Sequence, residues 1–281
     1  MALIHLFRRC NQRCAFCSYP AEGGRDPAPS LKAWLKEIAA MPPGLVQLSG
    51  GEPLLAGAEN LCMLLAAVKK LGRRAELQTN ALAAADLPAS ELAAIAKTLR
   101  AARGYFNVNF PAATAALDLK ITRAPGGFRK RTAGVRRLIA SGAPVRLTHV
   151  ITALNYKQLP AFAAFVAREL PGAAWVQFSY IKGLGRAAGK KYLPRYAAVR
   201  PYLLKALAAC EAAKLRCEVD HIPPCFLGDF YRLNVDIVKM REGRDGPHLQ
   251  EKARVPACRG CRFVKLCPGP RKDYIAVHKT L

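Results

Sequence analysis

Six of the ten cysteines form two closely spaced sets near the two ends of the chain. The first set, Cys10, Cys14 and Cys17, has the spacing C-x3-C-x2-C, so three thiols share one short loop. Thiolates are soft ligands that select zinc or iron–sulfur centres. Zinc usually needs a fourth ligand, and this loop contains no fourth Cys or His. Three ligands on a four-iron cluster would leave one iron open to a small molecule, which is typical of catalysis.

The second set follows the spacing C-x2-C-x5-C and comprises Cys258, Cys261 and Cys267. It lies in an irregular C-terminal stretch rich in Arg, Lys and Pro. Because such a stretch could hardly bury a core of its own, a bound metal would supply the missing cohesion. Without an export signal, the cysteines are more readily metal ligands than disulfides. Cys62 and Cys210 lie in apolar runs and are interpreted as small buried hydrophobic residues.

The elements that must position these thiols alternate between short β-like and longer helical runs. The predicted strands are 3–7, 45–48, 75–78, 116–121, 145–151 and 175–180. The predicted helices are 31–41, 59–71, 90–102, 128–139, 159–168 and 201–214. Serial βα units predict an α/β fold with a parallel sheet that curls into a partial (β/α)6 TIM-like barrel. We expect the barrel over residues 1–190 and a small, irregular, cluster-binding region over 191–281.

A glycine-rich turn, Ser49-Gly50-Gly51-Glu52-Pro53, follows the second predicted strand. In such barrels, active residues follow the C-terminal strand ends, where the first cysteine loop also lies. Glycines let a backbone approach a ligand closely, and Glu52 would complement an ammonium group. Together, the loop and the turn resemble the radical S-adenosylmethionine (SAM) enzymes. The resemblance implies a [4Fe–4S] cluster on Cys10, Cys14 and Cys17 that cleaves SAM to a 5′-deoxyadenosyl radical, which abstracts hydrogen from a substrate.

The same resemblance implies further SAM-binding positions: Phe16, Gly50, Gly51, Glu52, Pro53, Thr79, Asn80, Lys120 and Asn155. Phe16 would pack near the adenine, and Thr79, Asn80 and Asn155 would lie near the ribose. Lys120 is a candidate for the SAM carboxylate. A sheet-edge ion pair and the use of Arg146 instead remain open alternatives.

The second cysteine set resembles the auxiliary-cluster segment of radical SAM proteins with SPASM or twitch extensions. A fuller SPASM segment would carry another Cys about four residues after Cys267, where this chain has Arg271. One auxiliary [4Fe–4S] cluster is therefore expected, with Cys225 as its fourth ligand and Cys217 or His221 as alternatives. A structural zinc site also remains open.

Charge is the second unusual feature, since 44 Lys and Arg against 19 Asp and Glu give a net charge of +25. Such an excess fits an acidic partner or RNA, and it fits equally a compositional bias on a solvated surface. With no apolar span and no leader, we expect a cytoplasmic enzyme without a membrane partner. The favoured function is a peptide or protein maturase with an electron donor such as flavodoxin or ferredoxin. Small-molecule or cofactor biosynthesis and RNA modification are the alternatives.

Overall fold

The computed structural model describes residues 2–20, 30–243, 247–279 and 281. Its centre is a sheet of seven strands in which each strand pairs in parallel with the next along the chain. The strands are β1 Ala2–His5, β2 Leu45–Ser49, β3 Arg74–Thr79, β4 Tyr105–Asn109, β5 Val145–Ile151, β6 Trp175–Tyr180 and β7 Cys217–Asp220. Within this part of the chain β1 and β7 do not pair, so the barrel stays open. The expected α/β fold with a partial TIM-like barrel is confirmed.

Helices that follow the strands pack against the convex face of the sheet, and the last helices belong to the C-terminal region. The helices of the described residues are α1 Leu31–Ala40, α2 Ala58–Lys70, α3 Ala89–Ala101, α4 Ala115–Thr122, α5 Gly127–Ala140, α6 Leu159–Glu169, α7 Tyr196–Ala212, α8 Val235–Arg241, α9 Pro247–Gln250 and α10 Lys272–His278. In β2, Val46 and Leu48 are buried and alternate with half-buried Gln47. Since successive strand residues face opposite sides, the apolar set packs against the helices and the polar set lines the concave face.

The predicted fourth strand is wrong. Residues 116–121 lie in α4, whose N-cap Thr114 accepts a hydrogen bond from the amide of Leu117. The true strand is the earlier Tyr-Phe-Asn-Val-Asn segment, which has the aromatic and β-branched composition of a half-buried strand. The correction matters because α4, unlike a strand, packs beside the first cysteine loop.

A seventh strand also lies beyond the six predicted ones. β7 follows α7 and pairs with β6, so the sheet continues past residue 190. The four residues of β7 are too few for a clear alternation in the sequence. The expected six units are therefore one strand short.

The C-terminal region is attached to the barrel through aromatic and ionic contacts. Tyr274 of α10 stacks on Tyr196 of α7, with ring centroids 3.8 Å apart and planes at 10°. The Asp273 carboxylate accepts a 2.8 Å hydrogen bond from the amide of Gly183, just after β6. Short helices and single turns make up most of this region, as its composition predicts. Across the described residues, no helix combines the length and apolarity that a membrane crossing needs.

Candidate functional site

The first cysteine loop follows β1 and is fixed to α4 by backbone hydrogen bonds. The amide of Arg13 donates to the Thr122 carbonyl at 3.0 Å, and that of Ala15 donates to the Ile121 carbonyl at 2.8 Å. These bonds use carbonyls of the last turn of α4, which need partners outside the helix. These hydrogen bonds hold the loop at the C-terminal ends of the strands.

The three thiols of this loop lie within electrostatic range of one another. Burial and the charges of the neighbouring Cys10 and Cys17 together raise the pKa of Cys14 to about 12. Burial likewise raises the pKa of Cys10 to about 11. Asn80 donates through Nδ2 to Cys10 Sγ at 3.7 Å. Since iron binds thiolates, loading this site must release protons.

The glycine-rich turn packs backbone to backbone against the segment that leads into Cys10. The amide of Gly51 donates to the Phe7 carbonyl at 2.6 Å, and that of Glu52 donates to the Arg9 carbonyl at 3.0 Å. A methyl group at Gly50 would stand 2.5 Å from the Phe7 oxygen, and one at Gly51 would overlap the Arg9 carbonyl. Glycine is therefore required at these two positions for packing, because any side chain would separate the turn from the cysteine loop. The sequence does not reveal this requirement.

Glu52 joins the ends of β2 and β3. Its fully buried carboxylate accepts hydrogen bonds from the amide of Leu54 at 3.1 Å, the Thr79 hydroxyl at 2.6 Å and the amide of Asn80 at 2.7 Å. Burial raises the pKa of Glu52, and these hydrogen bonds oppose the rise. Pro53 then begins a short turn of 3-10 helix over Pro53–Ala56. The Glu52 carboxylate therefore fixes the glycine-rich turn to Thr79–Asn80 at the end of β3.

Phe16 and Asn155 occupy different environments. Phe16 is half-buried against the core beside the first cysteine loop, which suits the predicted contact with adenine. The amide of Asn155 accepts from the Thr152 amide at 2.7 Å and donates to the Pro111 carbonyl at 2.9 Å. Because both ends of its side chain are engaged, Asn155 shapes the turn after β5.

The structure does not bring Lys120 to a strand end. Lys120 is exposed on α4, where the sequence predicted a strand over residues 116–121, so it lies on a helix and not at a sheet edge. Asp118, on the same helix, is buried and pairs with Arg131 of α5. Arg146, the other candidate for the SAM carboxylate, lies near the start of β5 and pairs with Glu76 at 3.0 Å.

Sequence analysis missed Arg131 and Gln12. Arg131 follows exposed Arg129 and Lys130, so the segment has the composition of a solvated helix face. The structure instead buries Arg131 completely, with Nε donating to the Asn80 carbonyl at 3.2 Å. Gln12 is buried beside Cys14. A buried ion pair between two helices leaves no signal in local periodicity.

The second cysteine set lines a small, mostly apolar cavity. Its lining includes Cys225, Cys258, Cys261 and Cys267, which are the four predicted ligands. Burial and the charges of Cys267, Cys261 and Cys258 together raise the pKa of Cys225 to about 11. The structure therefore brings together thiols from two segments more than 30 residues apart.

The alternative fourth ligands lie elsewhere. Cys217, at the start of β7, interacts with the thiol of Cys210 on α7. His221 lies against Asp220, with its Nδ1 3.3 Å from the carboxylate. Neither residue lines the cavity. Among the residues described, no three His, Cys, Asp or Glu side chains are placed to hold one metal ion.

Comparison with known proteins agrees with this geometry. The profile of the Radical SAM superfamily matches residues 4–166, more than half of the 281 residues. A PqqA peptide cyclase of Gluconobacter oxydans (strain 621H) is 29% identical over 235 residues, which is 81% of this chain and 62% of that relative. The chain thus spans less than two thirds of that relative's length.

Two solved structures share the fold. The structure of anSMEcpe with bound AdoMet gives a TM-score of 0.66 at 15% identity, covering 97% of this chain and 85% of that one. Streptococcus suis SuiB bound to precursor peptide SuiA gives 0.61 at 17% identity, covering 78% and 48%. The first of these matches extends through the C-terminal region that carries the second cysteine set.

Proposed function

The chain belongs to the radical SAM superfamily, and from this premise we propose that it is a maturase that modifies a peptide or protein substrate. Members of the superfamily are enzymes that bind a [4Fe–4S] cluster and SAM. When bound, these groups supply the 5′-deoxyadenosyl radical that abstracts a hydrogen atom. The residues of this chain bind the cluster and SAM, position the substrate and set the charge near both.

Cys10, Cys14 and Cys17 are assigned to the cluster. Two observations support the fit: the three thiols lie within electrostatic range of one another, and two buried hydrogen-bond donors near them have no acceptor among the residues that the structure describes. We assign SAM to the adjoining surface formed by the Gly50–Pro53 turn, Thr79–Asn80 and Phe16. Lys120 and Asn155 are left out, because Lys120 is exposed on α4 and the Asn155 side-chain amide is engaged by protein groups at both ends.

The observation that carries the substrate class is the concave face of the sheet, where amide and hydroxyl side chains form a ladder across the strands. Ser49 donates to Gln78 at 2.6 Å, Thr148 donates to Asn107 at 2.6 Å, and Gln177 donates to Glu218 at 2.8 Å. Apart from the Glu218 carboxylate these groups are neutral amides and hydroxyls, which match the donors and acceptors of a peptide backbone.

Charge on this face argues against a phosphate-rich substrate. Arg146 is neutralised by Glu76 at 3.0 Å and approached by Glu218 at 3.8 Å. An RNA-binding surface would instead present cations to phosphates. The curated relative is named a peptide cyclase, and the SuiB structure holds a precursor peptide, so both point to the same substrate class.

We assign an auxiliary [4Fe–4S] cluster to Cys225, Cys258, Cys261 and Cys267. The basic residues Arg259, Arg262 and Lys265 lie within or beside this set and would raise the potential of a cluster there. They also suit docking of an acidic electron donor such as flavodoxin or ferredoxin in the cytoplasm.

The test is anaerobic turnover. Protein reconstituted with iron and sulfide is mixed with SAM, dithionite and a synthetic peptide library, and 5′-deoxyadenosine and peptide masses are measured. We expect peptides to stimulate SAM cleavage and a subset to change mass, for example by loss of two hydrogens on crosslinking. Cys14→Ala is the matched inactive control. Stimulation by RNA that falls steeply with salt, without any by peptides, would replace this substrate class.

A further inference from the structure

Two buried hydrogen-bond donors at the first cysteine loop have no acceptor among the described residues: Arg131 Nη2 and Gln12 Nε2. The Arg131 side chain is 0% exposed and Gln12 is 7% exposed. Buried donors are nearly always paired in folded proteins, so two orphans at one site indicate a missing acceptor. The mechanism derived so far assigns neither residue a role.

Arg131 is held rigidly at the site. Its Nη1 pairs with Asp118 of α4, and its Nε donates to the Asn80 carbonyl at 3.2 Å. The same Asn80 donates through its side chain to Cys10 Sγ at 3.7 Å. α4 in turn holds the cysteine loop through the carbonyls of Ile121 and Thr122. The guanidinium is thus fixed from both sides, with Nη2 as its remaining donor.

Arg131 also lies within electrostatic range of the thiols. Its charge lowers the pKa of Cys14 and that of Glu52, against the effect of burial. Three thiolates would give this pocket a large negative charge. A buried guanidinium compensates such charge best when it also donates a hydrogen bond.

Gln12 lies directly beside Cys14. The Cys14 thiol donates to Gln12 Oε1 at 3.3 Å, which leaves the amide nitrogen without a partner. A thiolate cannot donate, so this arrangement holds only while Cys14 is protonated. When Cys14 binds metal, a half-turn of the amide would direct its N–H groups at sulfur.

We propose that Arg131 Nη2 and Gln12 Nε2 donate hydrogen bonds to sulfur at the first cysteine site, on the Cys14 thiolate or the cluster sulfides, and act as positioning residues that raise the reduction potential of the cluster. Reduction adds one electron to an already anionic centre. Donors and positive charge near the sulfurs favour the reduced form. The inference rests on the proposed binding of the cluster by Cys10, Cys14 and Cys17.

The test compares two variants with a matched control. Gln12→Met removes the amide at similar volume. Arg131→Met combined with Asp118→Asn removes the donor and its charge without leaving a buried carboxylate unpaired. Arg129→Met, at an exposed position on the same helix, is the control. Each protein is reconstituted anaerobically, its iron is counted, and the cluster is titrated by EPR at fixed potentials without SAM.

We expect each variant to lower the reduced-to-oxidised ratio of the first cluster about tenfold at a given potential, which is 59 mV for a one-electron couple. The control and any second cluster should keep their potentials. If the Arg131 double variant does not fold, the potential measured for Gln12→Met alone tests the proposal.

Unchanged potentials in variants with full iron would overturn the inference and leave the proposed function intact. Unchanged potentials with weakened SAM binding, measured by equilibrium dialysis, would also overturn it and make the SAM carboxylate the acceptor. A wild-type protein that holds no iron on the first loop would refute the proposed function and this inference together.

Discussion

The two cysteine sites are built in opposite ways. The first loop is held by packed elements: α4 binds its backbone, the glycine-rich turn lies against its approach, and Asn80 reaches Cys10. The second set lines an apolar cavity in a region of short turns. Its local hydrogen bonds include the amide of Gly269 to Cys267 Sγ at 3.3 Å and the amide of Phe263 to Cys261 Sγ at 3.5 Å.

The difference indicates how each site depends on its metal. Hydrogen bonds from elements distant in sequence hold the first loop, so we expect its backbone to depend little on a bound cluster. The second site depends on its ligand for cohesion, because metal binding contributes folding free energy where the core is small. Each prediction below would break or sharpen this contrast.

The largest effect is expected from removing either set of thiols. Cys10→Ala/Cys14→Ala/Cys17→Ala should abolish formation of 5′-deoxyadenosine while the melting temperature changes little, because α4 still holds the loop. Cys258→Ala/Cys261→Ala/Cys267→Ala should retain SAM cleavage, lose the modified product and expose residues 223–271 to proteolysis. Chromatography, calorimetry and limited proteolysis measure these results. Unfolding of the first variant together with an intact tail in the second would reverse the contrast.

A glycine pair tests packing in each region. Gly51→Ala would drive a methyl group into the Arg9 carbonyl, and Gly269→Ala would drive one into the Ala253 carbonyl. Overpacking of this kind costs about 1–3 kcal/mol. We expect Gly51→Ala to lower iron on the first loop and SAM affinity together, and Gly269→Ala to affect the tail alone. Gly260→Ala, at a positive φ in open space, controls for backbone strain. Normal iron with Gly51→Ala would refute the packing argument.

The choice of fourth ligand predicts a smaller, local change. Cys225→Ala should remove the second cluster, which is about half of the roughly eight irons expected for two [4Fe–4S] clusters. Cys217→Ala should keep that iron, since Cys217 interacts with Cys210 and does not line the cavity. Iron and sulfide assays decide between them. The opposite pattern would assign the site to Cys217, and stoichiometric zinc in the tail would make it structural.

The smallest expected effect is a loss of folding stability at acid pH through His149 in the barrel core. His149 is buried beside Phe162, and burial lowers its pKa to about 4 against about 6.5 in an unfolded chain. The unfolded state therefore binds more protons between these values, so stability is full above about pH 6.5 and falls towards pH 4. The loss is at most about 3 kcal/mol. Urea unfolding at pH 7 and pH 5 should show a smaller difference in His149→Phe. An equal difference in both proteins would exclude His149 as the cause.

Much of the fold and the candidate site could be predicted from the sequence. The spacing of Cys10, Cys14 and Cys17 needs no folding to bring three thiols together, because they share eight residues. Serial βα units predict a parallel sheet, because each helix returns the chain to the end of the sheet where the previous strand began. The right-handed crossover rule then limits how the units can be arranged. The one misassigned strand, residues 116–121, is part of a helix. Its alternating apolar residues fit the two-residue period of a strand as well as the 3.6-residue period of a helix.

Only the tertiary structure decided contacts between segments distant in sequence. It paired Arg131 with Asp118, joined Glu52 to Thr79, and brought Cys225 rather than Cys217 to the second set. Local periodicity records which face of an element is apolar, but it does not record which distant element that face meets. Buried polar pairs and ligand sets form only when distant elements pack together. Burial then makes an unpaired charge or donor too costly to leave without a partner.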